Sequence, residues 1–528
     1  MRKGIKICIV VSTVCLCFFS VKAESKAAVK LDPEHFSQQL LSWFTWRDTN
    51  EDGYLSDSEL KKITEIYTEA DESSEEDNLE EDEENQADKT NVSDAEVEVN
   101  KDEDVVDLKG IQYCKYLKVF EASCLKIKNF KCLEKVTNLE TIKLTSCEPE
   151  CKELDFSKMP KLKEIYFMFF KVDNLIFGSK NSVKTLRVEL TGKKQLDLSK
   201  LKELEYLAID DIGQGELPSL KHNKKLEHVQ FGGKKRVKKL DLRYNNKIKK
   251  IEADVYIKEI KIPKNNMIEE VSFSKGIDKI DFSSLKKIKS IYLIGYNKKK
   301  IDISKCTELS YINIKGAVTK LNLKKCTRLK ELIVEAPIKK LDLKKCVKLK
   351  TLIVEAPLKE INLEKCTNVS YLTINAPIEK LELKGNKELR RVGLSGIEVE
   401  SFYLDNNSNL KELKFKNCAV KNIYVSDMQN MKNMSVSENA YLESVSLNNC
   451  NNIRYLDIHK CSAMKSLHVT PEMKIFKLTC EDSNSILQKQ EFDSDAISEK
   501  VQNGTDFYFT DKTYDYYKFV MDIATTVL

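Results

Sequence analysis

The feature that most constrains this chain is a string that returns every twenty residues. Leu321-Asn322-Leu323-Lys324-Lys325-Cys326-Thr327-Arg328-Leu329 is followed one period later by Leu341-Asp342-Leu343-Lys344-Lys345-Cys346-Val347-Lys348-Leu349. The same pattern returns at Ile361, Leu363, Cys366 and Val369. Cys306, Cys326, Cys346 and Cys366 keep this spacing, as do Pro337, Pro357 and Pro377. A paired apolar step runs from Leu154/Phe156 through Leu240/Leu242 to Ile423/Val425. So short a unit cannot bury its own leucines and must stack on its neighbours. A second apolar pair, Leu332/Val334 or Leu352/Val354, falls eleven residues after the first. The pattern predicts two short strands per coil, on two faces, and little helix.

The positions Ile338, Leu341, Leu343, Cys346 and Leu349 resemble the leucine-rich repeat, whose period is 20 to 29 residues. The resemblance covers about 70% of the chain, as 17 or 18 coils of 20–22 residues over 107–480. It implies a mainly β repeat solenoid. Coils about 4.8 Å apart would make a rod or shallow arc of roughly 85 Å. The stretch 212–237 is degenerate, and 481–528 reads as a C-terminal cap, with a strand at Phe507 to Phe509 and a helix at Tyr514 to Val527. Cys306, Cys326, Cys346 and Cys366 occupy the inward slot that Asn245 and Asn386 fill elsewhere. They are read as buried, reduced thiols that satisfy turn backbone groups. Cys147 and Cys151 are the one pair worth testing for a bridge.

Ahead of the repeats stand three other segments. Residues 1–23 have a basic start, an apolar stretch from Ile7 to Val21 and small residues at Val21 and Ala23. That is a secretory signal pattern. Residues 24–68 are predicted to be a helix–loop–helix, with helices over Pro33 to Trp46 and Ser56 to Tyr67. Asp48, Asn50 and Asp52 offer side-chain oxygens at loop positions 1, 3 and 5, and Tyr54 a backbone carbonyl at position 7. Ser56 follows at position 9 and Glu59 at position 12, with Gly53 at the sharp turn. This loop resembles that of an EF-hand, which implies calcium as the cofactor, bound weakly at roughly 10⁻⁴ to 10⁻³ M. Residues 69–106 are an acidic linker, read as disordered because they carry almost no large apolar residues.

The net charge of +5 hides two opposed segments. Between Glu69 and Asp104 eighteen acids meet two lysines, whereas the repeats hold about +27. The acidic arm is expected to fold over the basic repeats until calcium or salt releases it. On one face the outward residues Asp302, Asn322, Asp342, Asn362 and Glu382 are flanked by lysines, among them Lys324, Lys325, Lys344 and Lys345. On the other, the outward column is Tyr292, Asn313, Ile333, Ile353 and Thr373, read as an exposed binding patch.

Only five histidines are present, and no nucleophile elbow, zincin motif or phosphate-binding loop occurs. No catalytic residues are predicted. The combination resembles exported leucine-rich-repeat proteins of Gram-positive anaerobes with a calcium loop before the repeats. That resemblance implies a secreted or surface-associated adhesion protein. Its expected partners are proteins, acidic glycans or wall polymers, with no nucleic acid, no transmembrane segment after cleavage, and a monomeric state. A structural protein held on wall polymers and a dockerin-like accessory module are the alternatives.

Overall fold

The computed structural model describes residues 28–69, 105–190, 195–213, 216–470 and 477–479. The export segment 1–23, most of the acidic linker and the 481–528 tail lie outside the described residues. Two compact units divide the chain, Met1–Asn266 and Met267–Leu528. Each is a parallel β-solenoid of the leucine-rich-repeat type.

Within the first unit, one ladder runs Glu65–Glu69, Val119–Ser123, Thr141–Thr145, Glu164–Val172, Thr185–Leu190, Tyr206–Ile209, His228–Gly232 and Lys250–Asp254. All neighbours are parallel. The degenerate stretch still supplies its strand, because Val229 and Phe231 keep the apolar alternation and are fully buried. In the second unit the ladder includes Ser290–Tyr296, Tyr311–Gly316, Glu331–Glu335, Thr351–Glu355, Tyr371–Asn375 and Arg391–Ser395. Register is strict: Leu332 faces Leu352, which faces Leu372, and each is almost wholly buried. Each such side chain contributes roughly 1.5–3 kcal/mol through burial.

The second face is less regular than two strands per coil. Ser401–Asp405, Asn422–Ser426, Ser444–Asn448 and Ser466–Val469 form a full ladder. The coils around Cys306 to Cys366 keep only two-residue strands, such as Lys300–Ile301 with Lys320–Leu321.

The N-terminal segment departs from the expected helix pair. Helix α1, Gln38–Thr45, is capped by Ser37, whose hydroxyl accepts from the Leu40 amide. Helix α2, Asp57–Leu60, is a single turn rather than a helix to Tyr67. Beyond it the chain enters the strand Glu65–Glu69 and pairs with Val119–Ser123. Ile63, Thr64, Ile66 and Thr68 favour extended backbone, and the first coil offers a bare edge to pair with. Residues 28–69 are therefore the N-terminal cap. Gln39 accepts from the Asp107 amide at 2.9 Å, and the Ser37 hydroxyl donates to the Asp107 carbonyl at 2.7 Å. The expected linker is shorter too, since Glu69 and Val105–Asp107 lie in strands.

Candidate functional site

The outward acids and amides of the first face are turn-formers. Asp302 accepts from the Ser304 amide, Asn322 from Lys324, Asp342 from Lys344 and Asn362 from Glu364, at 2.9–3.2 Å. These are Asx turns, in which a short side chain mimics a backbone turn. They bend the chain just after the strand position and present the next two residues to solvent. Lys324, Lys325, Lys344 and Lys345 occupy those places and are exposed.

Some lysines elsewhere are neutralised coil to coil. Lys143 pairs with Glu121, Lys163 with Glu140, Lys249 with Glu227 and Lys465 with Glu443, each at 2.6–2.7 Å. By contrast Lys320, Lys324, Lys325, Lys340, Lys344 and Lys345 have no salt bridge among the described residues. Nearby, the pairs Lys359–Glu379 and Lys365–Glu364 close the field on its far side. The result is a patch of unpaired ammonium groups repeating at the coil spacing.

The second column needs correction. Tyr292, Asn313, Ile333, Ile353 and Thr373 do face one another in successive strands. They do not form an exposed apolar patch. Ile353 is 6% exposed and Thr373 only 2%, while Tyr292, Asn313 and Ile333 are half-buried. In-register stacking sets each β-branched side chain against its neighbour above and below, and Ile333 packs directly on Ile353. Burial also pushes the carboxyl of Glu331 and the phenol of Tyr311, which flank this column, above their ordinary ranges. Beside the column lies a shallow groove of about 660 Å3, floored by Ala336-Pro337, Ala356-Pro357 and Ala376-Pro377. Each Ala-Pro step closes a tight turn, such as the Ile338 amide donating to the Ala336 carbonyl at 2.6 Å.

The inward slot behaves as read. Asn223 donates its amide to the carbonyls of Leu198 and Leu201, and Asn245 to those of Leu220 and Asn223. Cys306, Cys326, Cys346 and Cys366 take the same place as free thiols with no exposed surface. Cys306 and Cys366 donate weakly to the carbonyls of Phe282 and Leu343, at 3.5 Å. Cys147 and Cys151 are also free, and the Cys147 thiol donates to the Ala122 carbonyl. Burial pushes the Cys306 and Cys346 thiols up to about 12 and those of Cys326 and Cys366 to about 11. A maleimide at neutral pH should therefore label the exposed Cys124 quickly and these four only after denaturation. Mass spectrometry on peptides checks this, and fast native labelling of Cys346 would contradict it.

Around the acidic loop, Gly53 takes the left-handed backbone that its turn requires, φ 79°. Asp48 accepts from the amides of Asp52 and Gly53. Asp52 accepts from the Tyr54 amide and from the Asn50 side chain. Glu59 is buried, and its two oxygens accept from the amide and hydroxyl of Thr49 and of Ser56, at 2.7–2.9 Å. Among the described residues no three acidic, His or Cys side chains converge closely enough to share an ion. The donors fit a hard cation in kind, but Glu59 must exchange hydroxyl partners to meet one. Burial alone would raise the Glu59 carboxyl; its hydrogen bonds from Ser56 and Thr49 outweigh that and hold it at about 2, below its ordinary 4.5. A lowered native value stabilises the fold above the unfolded value, and that stability is lost as pH falls. Acid titration should loosen the cap between about pH 4.5 and 2, with Glu59→Gln flattening the transition in hydrogen exchange of 49–59.

The sequence reading passed over two exposed side chains. Tyr403 and Tyr424 sit between the inward pairs Phe402/Leu404 and Ile423/Val425, and are 67% and 38% exposed. The alternation that buried their neighbours was the signal for them.

The chain matches no family model and no curated protein. Among solved structures it is similar to the functional domain of InlJ from Listeria monocytogenes, described as including a cysteine ladder, at 17% identity over 77% of this chain and 78% of that one, TM-score 0.44. A leucine-rich-repeat protein of Leptospira interrogans is 14% identical over 76% of this chain and 92% of that one, TM-score 0.42. YopM from Yersinia enterocolitica is 13% identical over 69% and 87%, TM-score 0.44.

Proposed function

We propose that this leucine-rich-repeat chain is an exported, non-enzymatic binding protein that holds an anionic polymer or glycan on the lysine patch of its second unit. The observation that carries this reading is the contrast in ion pairing. Where a lysine serves coil stacking, an acid on the next coil neutralises it, as in Lys289 with Glu269. The Asx turns of Asn322 and Asp342 hold Lys324, Lys325, Lys344 and Lys345 toward solvent, and none of the four is in a salt bridge among the described residues. Exposed cations a coil spacing apart raise the local potential and gather a polyanion along the stacking direction. Export rests on the basic-apolar-small pattern of 1–23.

The test is binding of a heparin dodecasaccharide and of inorganic polyphosphate, followed by calorimetry at low and physiological salt. Replacing Lys324, Lys325, Lys344 and Lys345 by Ala should weaken both by roughly ten- to a hundredfold, since each exposed pair supplies at most about 1 kcal/mol. Wild-type affinity should fall with salt. Equal affinity in the variant, with the fold intact, would refute the patch. An acidic protein partner is the second form the reading takes, and the same variant should lose it.

Calcium belongs to the proposal as a stabiliser of the cap, held by Asp48, Asn50, Asp52, the Tyr54 carbonyl, Ser56 and Glu59. Calorimetry should show a millimolar-range site, roughly 10⁻⁴ to 10⁻³ M, absent in Glu59→Gln.

A further inference from the structure

The second face of the second unit carries a slot that the lysine patch does not use. Tyr403, Tyr424, Ser446 and His468 succeed one another in register on the strands from Ser401 to Val469. The first two rings stack at 4.9 Å between centroids with 11° between planes. They therefore stand upright from the sheet, one per strand. Next in the column comes Ser446, which has no ring to offer, and then the exposed His468. Two strand spacings separate Tyr424 from His468, roughly 9.5 Å. Ser446 leaves that interval open above its hydroxyl.

The chemistry of the slot is that of a saturated, hydroxylated ring. A planar ring in contact with both walls would fill only roughly 7–8 Å. A puckered ring with C–H bonds on both faces is thicker and meets both the tyrosine and the imidazole. The rim is neutral and polar. The Ser444 hydroxyl donates to the Asn422 side chain at 2.7 Å, and the exposed Asn448 stands on the other side. Hydroxyls and amides there can exchange hydrogen bonds with ring hydroxyls. The nearest lysines at the strand entries are neutralised, Lys421 by Glu400 and Lys465 by Glu443. We infer that the Tyr424–Ser446–His468 slot is a second binding site, which clasps one pyranose ring of a neutral glycan between its two rings.

Saturation-transfer NMR and calorimetry with cellohexaose, mannohexaose and chitohexaose test this on the full chain. At least one should bind saturably, with affinity unchanged between low and physiological salt. Tyr424→Ala and His468→Ala should each weaken it about tenfold or more, because aromatic anchors dominate such sites. Ser446→Tyr should abolish binding while leaving the melting curve intact, since the new ring continues the stack and fills the gap. Tyr403→Ala should change affinity by less than about threefold, as its ring backs Tyr424 without lining the slot. No binding by any of the three sugars, full binding by Ser446→Tyr, or equal losses at Tyr403 and Tyr424 would each overturn the slot. The Lys324, Lys325, Lys344 and Lys345 variant should bind these sugars normally, so this site and the polyanion patch fail or stand separately.

Discussion

Replacing Asn223 by Leu should destabilise the first unit by about 1–3 kcal/mol, although the two side chains have the same number and branching of heavy atoms. Asn223 is fully buried, and its side-chain amide donates to two carbonyls of the preceding turn, Leu198 at 2.9 Å and Leu201 at 2.7 Å. Leucine would leave each carbonyl with its backbone donor alone, the Leu201 amide at 3.0 Å and the Leu204 amide at 3.4 Å, and each lost bond costs about 0.5–1.5 kcal/mol. The Asn223 side-chain oxygen has no partner, so its removal offsets part of that loss. The comparison is Cys346→Ala in the second unit. Thiols in that slot donate weakly, so the loss there should be mainly a small cavity, about 1–2 kcal/mol. Hydrogen exchange suits the measurement better than one melting temperature, because neighbouring coils need not unfold together. Faster exchange over 198–229 in Asn223→Leu, with little change around Cys346→Ala, is expected. Equal effects would mean that the slot selects for volume and not for hydrogen bonding.

That contrast shows what the sequence made readable. The repeat is written locally, in the period of Leu341, Leu343, Cys346 and Leu349, so the stacking architecture and the inward thiols followed from spacing alone. Three features depended on partners distant in sequence. Ile63 to Glu69 fits an amphipathic helix almost as well as a strand, and the bare edge at Val119–Ser123 decides between them. Whether Ile353 is exposed depends on what stacks against it, and Ile333 covers it although alternation alone points both outward. The Asx turns were present in the letters, since Asp342 and Asn362 each precede a turn by two residues. Their role as acceptors showed only in the geometry. Of the calcium set, all six residues lie within the folded segment 48–59, but Glu59 is on helix α2 and already has four donors within the chain.

Gly110→Ala should release the cap, with a loss of about 3 kcal/mol or more. Gly110 has φ 106°, a backbone region that other residues enter only under strain. A methyl group built there would lie 2.2 Å from Cδ1 of Phe36 and 3.0 Å from its Cα. The ring alone cannot swing clear, because Phe36 is packed against Phe44 and Tyr113 and its backbone is also close. The segment that carries Phe36 must back away from the first coil. That movement would break the bonds from Ser37 and Gln39 to the 105–109 strand and turn, including Ser37 to Lys109 at 2.9 Å. Release of Glu65–Glu69 would then bare the amides and carbonyls of Val119–Ser123, an unpaired parallel edge that invites another chain. The expected readings are rapid exchange at 65–69 and 119–123 and concentration-dependent association on size exclusion. Phe36→Ala removes the obstacle but also the packing, at about 3–5 kcal/mol. In the double variant the two losses should fall short of their sum, because the contact that Gly110→Ala strains is already gone. Full additivity, or a Gly110→Ala protein with native exchange at 119–123, would show that the first coil needs no cap. Residues 28–69 would then be an appendage to the solenoid and not its terminus.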